Sequence, residues 1–372
     1  MLPPAADRPK LQATFAQLSA AIEDLLLGGL TTATDATKQT IHNALQEAAR
    51  FRLLRFGGTM RTVVDDLARF AKHDPTLSRR RLTLFLNRAW LQSRGLAHAL
   101  RVGDEALFDR LNWTPPARPL PAVEVVCLGV AKKVTASVVI FDFRLRALAA
   151  AGPVAAGQRL SWSAVFPVKP GQDIPPEGFL HLPQKQKFAM TALLERKAIA
   201  VTSATVSGED AEFARLSLTE ASTVTLGKPF AEWGRYLAWS PDRALARLET
   251  HAAGPLDLET ELQEEVVLRD YEIGAPVAGE EPGQTAYPIT AGHLSLQAVV
   301  GAGIEGKALK KGLDDLRKAK KGRPPLFGLM HYERCRLVFQ PLATFPASGP
   351  DYLTISKESV NKATLLKALN FN

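Results

Sequence analysis

The sequence predicts an α+β fold, in which an N-terminal all-helical domain is followed by a region of mixed strands and helices. Residues 11–112 keep apolar side chains at the three- and four-residue spacing of amphipathic helices. The segment 114–121 then contains four prolines, and β-branched and aromatic runs begin directly after it. The later strands and helices do not alternate strictly, which favours α+β over a doubly wound α/β sheet.

The N-terminal region is predicted to form four or five helices. Ser78 is a suitable N-cap for the fourth helix, and Gly57-Gly58 is expected to end the second one. The predicted helices cover about residues 11–27, 35–54, 60–72 and 78–100. We therefore expect a helical domain over residues 1–113.

The proline-rich segment 114–121 predicts a linker, because proline continues neither a helix nor a central strand. Residues 122–372 form the predicted α+β region, which we expect to divide near 253–257 if it holds two cores. Strands are predicted at 123–130, 134–143, 161–168, 198–207, 215–227, 293–301, 334–342 and 352–356. Helices are predicted at 184–197, 230–252 and 307–321, and after Ser356.

Charge is unevenly distributed along this basic chain, which has a formal net charge of +8 and a pI near 9.5. Residues 1–113 hold 16 Lys and Arg against 11 Asp and Glu, and residues 305–336 hold 10 against 4. Such an excess is compatible with an acidic partner such as nucleic acid. By contrast, an acidic stretch with Glu259, Glu261, Glu264 and Glu265 is expected to form a solvated face.

Cysteine usage and hydropathy place the chain in a reducing compartment. Cys127 and Cys335 are far apart, and neither has a second cysteine at metal-ligand spacing. The N-terminus lacks the pattern of a secretory signal, and no stretch of about 18 apolar residues predicts a membrane span. We expect a cytoplasmic protein with no membrane partner. The Ala-, Arg- and Leu-rich composition suggests a bacterial origin.

The string GAGIEGK contains the residues of a phosphate-binding turn. Gly301, Gly303, Gly306 and Lys307 satisfy both G-x-G-x-x-G and G-x-x-x-x-G-K between a predicted strand and a predicted helix. However, Ala308 stands where a P-loop needs Ser or Thr to hold magnesium. A plain glycine turn before a basic helix is the competing interpretation.

The string HYERC places His331, Glu333 and Cys335 on one face of a predicted strand, with Cys335 turned inward. A zinc deaminase site needs two further cysteines at Pro-Cys-x-x-Cys spacing, which the sequence lacks. We therefore expect no metal site and no cofactor. Nucleophile signatures such as G-x-S-x-G are also absent from the sequence.

Two basic helices are candidate nucleic-acid contacts. In the first, helical spacing puts Arg81, Arg88 and Arg101 near one angular sector with Arg94 close by, so their guanidinium groups could follow a phosphate backbone. Trp90 is available for packing or stacking. A solvated helical face is the alternative for both. The candidate residues are Arg79, Arg80, Arg81, Arg88, Arg94 and Arg101 in the first helix, and Lys310, Lys311, Arg317, Lys318 and Lys321 in the second.

Together these observations predict a non-enzymatic subunit or adaptor of a larger bacterial assembly. It would work through protein partners and contact nucleic acid through its basic helices. The alternative is a phosphate- or nucleotide-processing enzyme that uses the GAGIEGK turn.

Overall fold

The chain forms two compact units, a helical unit before residue 115 and a strand unit after it. This architecture confirms the predicted α+β class. The predicted division near 253–257 falls outside the described residues. The computed structural model describes residues 2–74, 77–112, 117–134, 138–168, 174–208, 212–238, 240–250, 263–319, 322–333 and 335–356.

The helical unit contains five α-helices in its described part. As predicted, the Ser78 hydroxyl caps the fourth helix, accepting a hydrogen bond from the backbone N–H of Arg81 at 3.3 Å. The expectation that Gly57-Gly58 ends the second helix is wrong, because the chain already turns at Arg52 in a left-handed conformation and both glycines lie within the third helix. The helices are α1 (Arg8–Gly28), α2 (Asp35–Arg50), α3 (Leu54–Ala71), α4 (Arg79–Val102) and α5 (Glu105–Asn112).

One apolar core joins these helices. The rings of Phe15 on α1 and Phe56 on α3 meet edge to face, with their centroids 5.2 Å apart. Leu82, Leu86 and Leu96 of α4 are buried in the same core. The long helix α4 therefore turns one face inward and leaves the other to solvent.

The strand unit begins with a closed five-stranded barrel. The first strand pairs antiparallel with the second, and the second with the third. The fourth strand pairs antiparallel with both the fifth and the first. The third and fifth strands pair in parallel. A sixth strand extends the sheet along the fourth. The strands are β1 (Ala117–Val134), β2 (Val138–Ala147), β3 (Arg159–Pro167), β4 (Lys197–Ser207), β5 (Phe213–Ser217) and β6 (Thr223–Pro229).

Part of the predicted linker belongs to this barrel, since β1 begins at Ala117 and Pro119 is paired with Thr205. The expectation that 114–121 lacks regular pairing is therefore wrong for residues 117–121. Residues 117–124 pair with β4 alone, whereas β2 joins β1 only from Val125 onward. Proline is tolerated on such an edge because its missing N–H faces no second strand.

The remaining strands form a second barrel with the same connections. The elements are α6 (Pro241–Glu249), β7 (Glu264–Leu268), β8 (Tyr271–Ile273), β9 (Val277–Ala278), β10 (Thr285–Ala291), β11 (Leu294–Val300), α7 (Ile304–Lys318), β12 (Leu326–Glu333), β13 (Arg336–Thr344) and β14 (Asp351–Tyr352). Strands β7 and β8 act as one bent strand, because β7 pairs with β12 and β8 pairs with β10. Antiparallel pairing joins β10 to β11 and β12 to β13, and β11 meets β13 in parallel.

Each barrel thus has the strand order 1-2-3-5-4-1, with helical turns between its third and fourth strands. In the first barrel these are the 3-10 helices Pro176–His181 and Met190–Leu194, and in the second it is α7. This Greek-key order is that of the OB-fold. The strand unit is therefore a tandem pair of OB-type barrels.

The two barrels have separate cores and a shared apolar cluster between them. Val126 and Leu128, on the outer side of β1, pack in that cluster with Phe327 and Leu342 of the second barrel. At Gly129 an added Cβ would lie 2.7 Å from Phe327 Cε1, so only glycine permits this close approach.

Three helix and strand predictions are corrected here. Residues 184–197 contain only a short 3-10 helix before β4 begins at Lys197. Residues 230–252 contain a 3-10 turn at Trp233–Tyr236 and the nine-residue α6 rather than one long helix. Residues 264–268 of the acidic stretch form strand β7, because barrel closure pairs residues whose local composition favours a loop.

Candidate nucleic-acid interface

Helix α4 places its arginines in three different environments. Arg88 is buried on the inner side of the helix, so it is not part of an exposed phosphate-binding surface. This overturns the expectation that Arg88 lies on a solvated face with Arg81. Helical spacing allowed that grouping, and the packing of the other helices around α4 excluded it.

Arg81 is engaged with a buried carboxylate of α3. Its Nε donates to Asp66 Oδ2 at 3.0 Å and its Nη2 to Asp66 Oδ1 at 2.5 Å. Asp66 is 1% exposed, whereas the Arg81 side chain is 41% exposed. This two-pronged ion pair ties α4 to α3.

The exposed side of α4 carries a continuous stripe of solvent-accessible residues, which we call the α4 stripe. It consists of Arg80, Leu84, Asn87, Leu91, Arg94, His98 and Arg101, which recur at spacings of three and four residues and are all exposed. Arg79 is exposed beside it. The stripe places three guanidinium groups on one side of the helix.

Two arginines of the α4 stripe are held by neighbouring side chains. The Arg94 guanidinium carbon lies 5.4 Å from the ring centroid of Trp90, and Nη1 lies 3.9 Å from Glu23 Oε1. The Trp90 indole N–H donates to the same Glu23 oxygen at 2.6 Å, so its ring is occupied in packing. Arg101 lies 3.0 Å from His98 Nδ1.

The second basic helix, α7, belongs to the second barrel. Lys311 and Lys318 are exposed, and Arg317 is half-buried. Lys310 Nζ donates to Asp314 Oδ2 at 3.0 Å and to Tyr287 Oη at 3.4 Å, so it fastens the helix to strand β10. Lys321 lies outside the described residues.

The GAGIEGK turn does join a strand to a helix, as predicted, since β11 ends at Val300 and α7 begins at Ile304. The turn is tightly closed at Gly306, where an added Cβ would lie 2.2 Å from the Gly301 carbonyl oxygen. Lys307 is exposed and Gly303 is the residue before the helix. Strand β11 has an antiparallel neighbour, β10, so the turn does not follow a strand of a wholly parallel sheet, as a P-loop does.

The HYERC residues do not share one strand face. His331 is buried on β12, with Nε2 3.8 Å from Glu333 Oε2, but Cys335 is exposed between β12 and β13 with a φ of 60°. The expectation of an inward Cys335 is wrong because the chain reverses between Glu333 and Arg336, which pair with each other. No group of three or more metal-ligating side chains occurs within the described residues.

Glu264 is buried and the side chain of Glu265 is 2% exposed, which overturns the solvated acidic face predicted for them. Arg159 Nη1 lies 2.5 Å from Glu264 Oε1, and Arg146 Nη2 lies 2.5 Å from Glu265 Oε2. These pairs connect β2 and β3 of the first barrel to β7 of the second. The carboxylates and arginines line a cleft of about 660 Å³ between the barrels. Glu259 and Glu261 lie outside the described residues.

A second cleft, of about 310 Å³, opens in the wall of the first barrel between β3 and β5. Buried Trp162 and Leu216 form part of its apolar lining, and Gln184, Gln186 and Arg215 are among its polar lining residues. This cleft was not predicted from the sequence, because residues 184–197 were expected to form a helix. The alternating sequence Gln-Lys-Gln-Lys at 184–187 was the available signal for an extended, two-faced segment.

Among the described residues, no helix combines the length and the apolar character needed to cross a bilayer. No protein-family model matches the chain, and no curated protein matches it.

Several solved structures are similar to about 60% of the chain. The structure of a murine DNA-binding protein bound to double-stranded DNA is 11% identical, with a TM-score of 0.27, and the match covers 60% of this chain and 93% of that one. A complex of p202 HIN1 with a 12-mer double-stranded DNA is 10% identical, with a TM-score of 0.27 and coverage of 61% and 92%. A replication protein A heterotrimer bound to single-stranded DNA is 11% identical, with a TM-score of 0.23 and coverage of 62% and 50%.

Proposed function

We propose that this protein is a non-enzymatic subunit that binds nucleic acid and uses its two barrels as the binding platform. The observation that carries the proposal is the strand order of the barrels, which occurs twice in succession. OB-type barrels present an outer sheet face and neighbouring loops to oligonucleotides or oligosaccharides. Two such barrels, packed through a shared apolar cluster, offer an extended surface to a linear polymer.

The charge of the chain favours an anionic polymer over a neutral sugar. The formal net charge is +8, and the α4 stripe and the exposed lysines of α7 present part of it to solvent. Binding that neutralises phosphates releases condensed counterions, so basic surfaces of this kind give salt-dependent affinity. We assign the phosphate contacts of the helical unit to Arg80, Arg94 and Arg101.

Membership of a larger bacterial, cytoplasmic assembly and the presence of protein partners remain predictions from the sequence. Leu84 and Leu91 of the α4 stripe, which are 52% and 37% exposed, are the apolar groups that we propose for a protein contact. The enzyme alternative lacks comparable support, because the glycine turn does not follow a strand of a parallel sheet.

The test measures binding of the full chain to labelled single-stranded DNA, double-stranded DNA and RNA across roughly 50 to 200 mM salt. The variant Arg80→Ala/Arg94→Ala/Arg101→Ala should bind more weakly and show a shallower salt dependence. Three lost phosphate contacts correspond to about two units of slope on a single strand.

The matched control is Lys38→Ala/Lys72→Ala/Arg110→Ala, which removes the same charge from other exposed positions of the helical unit. It should leave most of the salt slope in place. If the wild-type chain retards none of the three nucleic acids at about 0.1 M salt, the proposed function is wrong.

A further inference from the structure

The cleft between β3 and β5 exists because the two strands follow different partners. They pair in parallel only where residues 159–161 lie beside 213–215. Beyond that point β3 continues along β2 as far as Pro167, and β5 continues along β4 as far as Ser217. The two strands therefore separate beyond this point, and their facing edges line the cleft.

The interior of the cleft suits a flat, partly apolar group. The aromatic rings of Trp162 and Phe166 and the side chains of Met190 and Leu216 are buried and form its apolar lining. Its volume of about 310 Å³ is at the lower end of the range of about 300–1,000 Å³ usual for ligand pockets. One small ring system fits this size and lining better than an extended polymer segment.

Two glutamines supply polar groups at a fixed position. Gln184 Nε2 donates to the Leu182 carbonyl at 3.1 Å, and Gln186 Nε2 donates to the Thr219 carbonyl at 2.8 Å. These bonds hold each amide and leave its carbonyl oxygen as an acceptor. A ring edge that carries an amino group can donate to such an acceptor.

The segment that carries the glutamines also carries positive charge. The backbone N–H of Lys187 donates to the Gln184 carbonyl at 2.9 Å in a tight turn, and Lys187 has a φ of 61°. Lys185 and Lys187 are exposed in this turn, and Arg215 is exposed at the cleft.

Two described acids lie beside this segment. Glu220 lies 3.7 Å from Lys185, and the Ser163 hydroxyl, at the cleft, donates to Asp142. Lys187 is exposed on the same turn as Lys185, so the segment places positive charge beside the cleft, which suits a ligand that carries a phosphate next to its ring.

We propose that this cleft takes one unstacked nucleobase of a single-stranded nucleic acid. Gln184 and Gln186 accept from the amino group on the edge of the base, and Lys185, Lys187 and Arg215 contact the adjoining phosphates. The cleft therefore prefers adenine or cytosine to thymine. This inference rests on the proposed nucleic-acid binding and adds a base-selective site to it.

The experiment compares oligo-dT of roughly 20 nucleotides with the same strand carrying one internal adenine, cytosine or abasic nucleotide. Wild-type full chain should bind the adenine and cytosine strands more tightly than oligo-dT, and the abasic strand less tightly. Loss of one stacked base predicts that the abasic strand binds on the order of tenfold less tightly. The variant Gln184→Ala/Gln186→Ala should bind the adenine, cytosine and oligo-dT strands with closely similar affinity and should still bind the abasic strand less tightly.

A second variant tests whether binding of the adenine strand requires the open volume of the cleft. Ser217→Trp places a large side chain at the cleft and should weaken binding of the adenine strand on the order of tenfold. Thr31→Trp and Gln39→Ala/Gln46→Ala, at exposed positions of the helical unit outside α4, are the matched controls and should retain the wild-type preference. Melting temperatures of all variants, measured in parallel, establish that each is folded.

These measurements distinguish failure of the cleft proposal from failure of the proposed function. If the wild-type chain binds single strands without base preference, and neither cleft variant changes its affinity, the cleft proposal is wrong while the proposed function stands. If the wild-type chain binds no nucleic acid, the proposed function itself is wrong and the cleft assignment falls with it.

Discussion

Arg81 shows how a basic residue on a helix surface can be committed to the fold. Its guanidinium group holds Asp66, which is 1% exposed, through two hydrogen bonds between α4 and α3. Only a few residues away, Arg80 and Arg94 keep their guanidinium groups on the exposed α4 stripe. Equal charges at neighbouring positions therefore have different roles.

Replacing Arg81 by Ala should destabilise the helical unit, because Asp66 would remain buried without this partner. Losing one member of a buried pair costs about 3–5 kcal/mol, and partial exposure of Arg81 lowers our expectation to roughly 2–3 kcal/mol. Urea denaturation of the full chain measures the change. Arg80→Ala is the control and should shift the free energy of unfolding by less than about 0.5 kcal/mol. Equal effects of the two substitutions would contradict the structural role of Arg81.

At the scale of elements, helix α7 is bound to the second barrel by both apolar and polar contacts. Leu309, Leu313 and Leu316 are buried in the barrel core. The Tyr287 hydroxyl of β10 donates to Asp314 Oδ1 at 2.9 Å. Burial alone would raise the pKa of Asp314, but hydrogen bonds from Lys310 and Tyr287 outweigh it and lower that pKa below its ordinary value of 3.8.

This lowered pKa predicts an acid-sensitive contact. A carboxyl group with a lower pKa in the folded state stabilises the protein above the unfolded value, and the stabilisation is lost as the pH falls through the folded value. The melting temperature of wild type should therefore exceed that of Asp314→Asn near neutral pH, and the gap should narrow below about pH 4. Asp315→Asn, at an exposed position of the same helix, is the control and should show a smaller gap. A gap for Asp314→Asn that does not change with pH would refute this role.

At the scale of the whole molecule, the chain divides between Thr114 and Pro115 into two compact units. Each unit has its own apolar core, since the helical core contains no residue of the barrels. Residues from Ala117 onward are hydrogen-bonded in β1. The boundary is therefore narrower than the predicted linker 114–121.

Limited proteolysis with a protease of broad specificity should cleave first between residues 112 and 117 and release a stable helical fragment. Proteases cut locally unfolded backbone, so the paired residues 117–121 should resist cleavage until the first barrel opens. Mass spectrometry of the early fragments locates the cut. Early cleavage within 118–121, or a chain that is cut nowhere near residue 114, would count against these unit boundaries.

Local chemistry in the sequence determined several features of this protein. Apolar spacing located the helices of the first unit, Ser78 marked the start of α4, and β-branched runs located β2, β3 and β11. These features depend on side chains within one or two turns of each other, so a single sequence carries them. The same pattern gave the α+β class.

Tertiary structure decided the closure of the barrels, the burial of Arg88, Glu264 and the Glu265 side chain, and the cleft between β3 and β5. The barrel features depend on the pairing of strands that are distant in sequence, such as β1 with β4 or β7 with β12. The burial of Arg88 depends on the packing of α4 against the other helices. Helical spacing put Arg81 and Arg88 on one face, but it held no information on which face α3 and α5 would cover. A charge pattern therefore identified basic segments, and only packing determined which of their charges reach solvent.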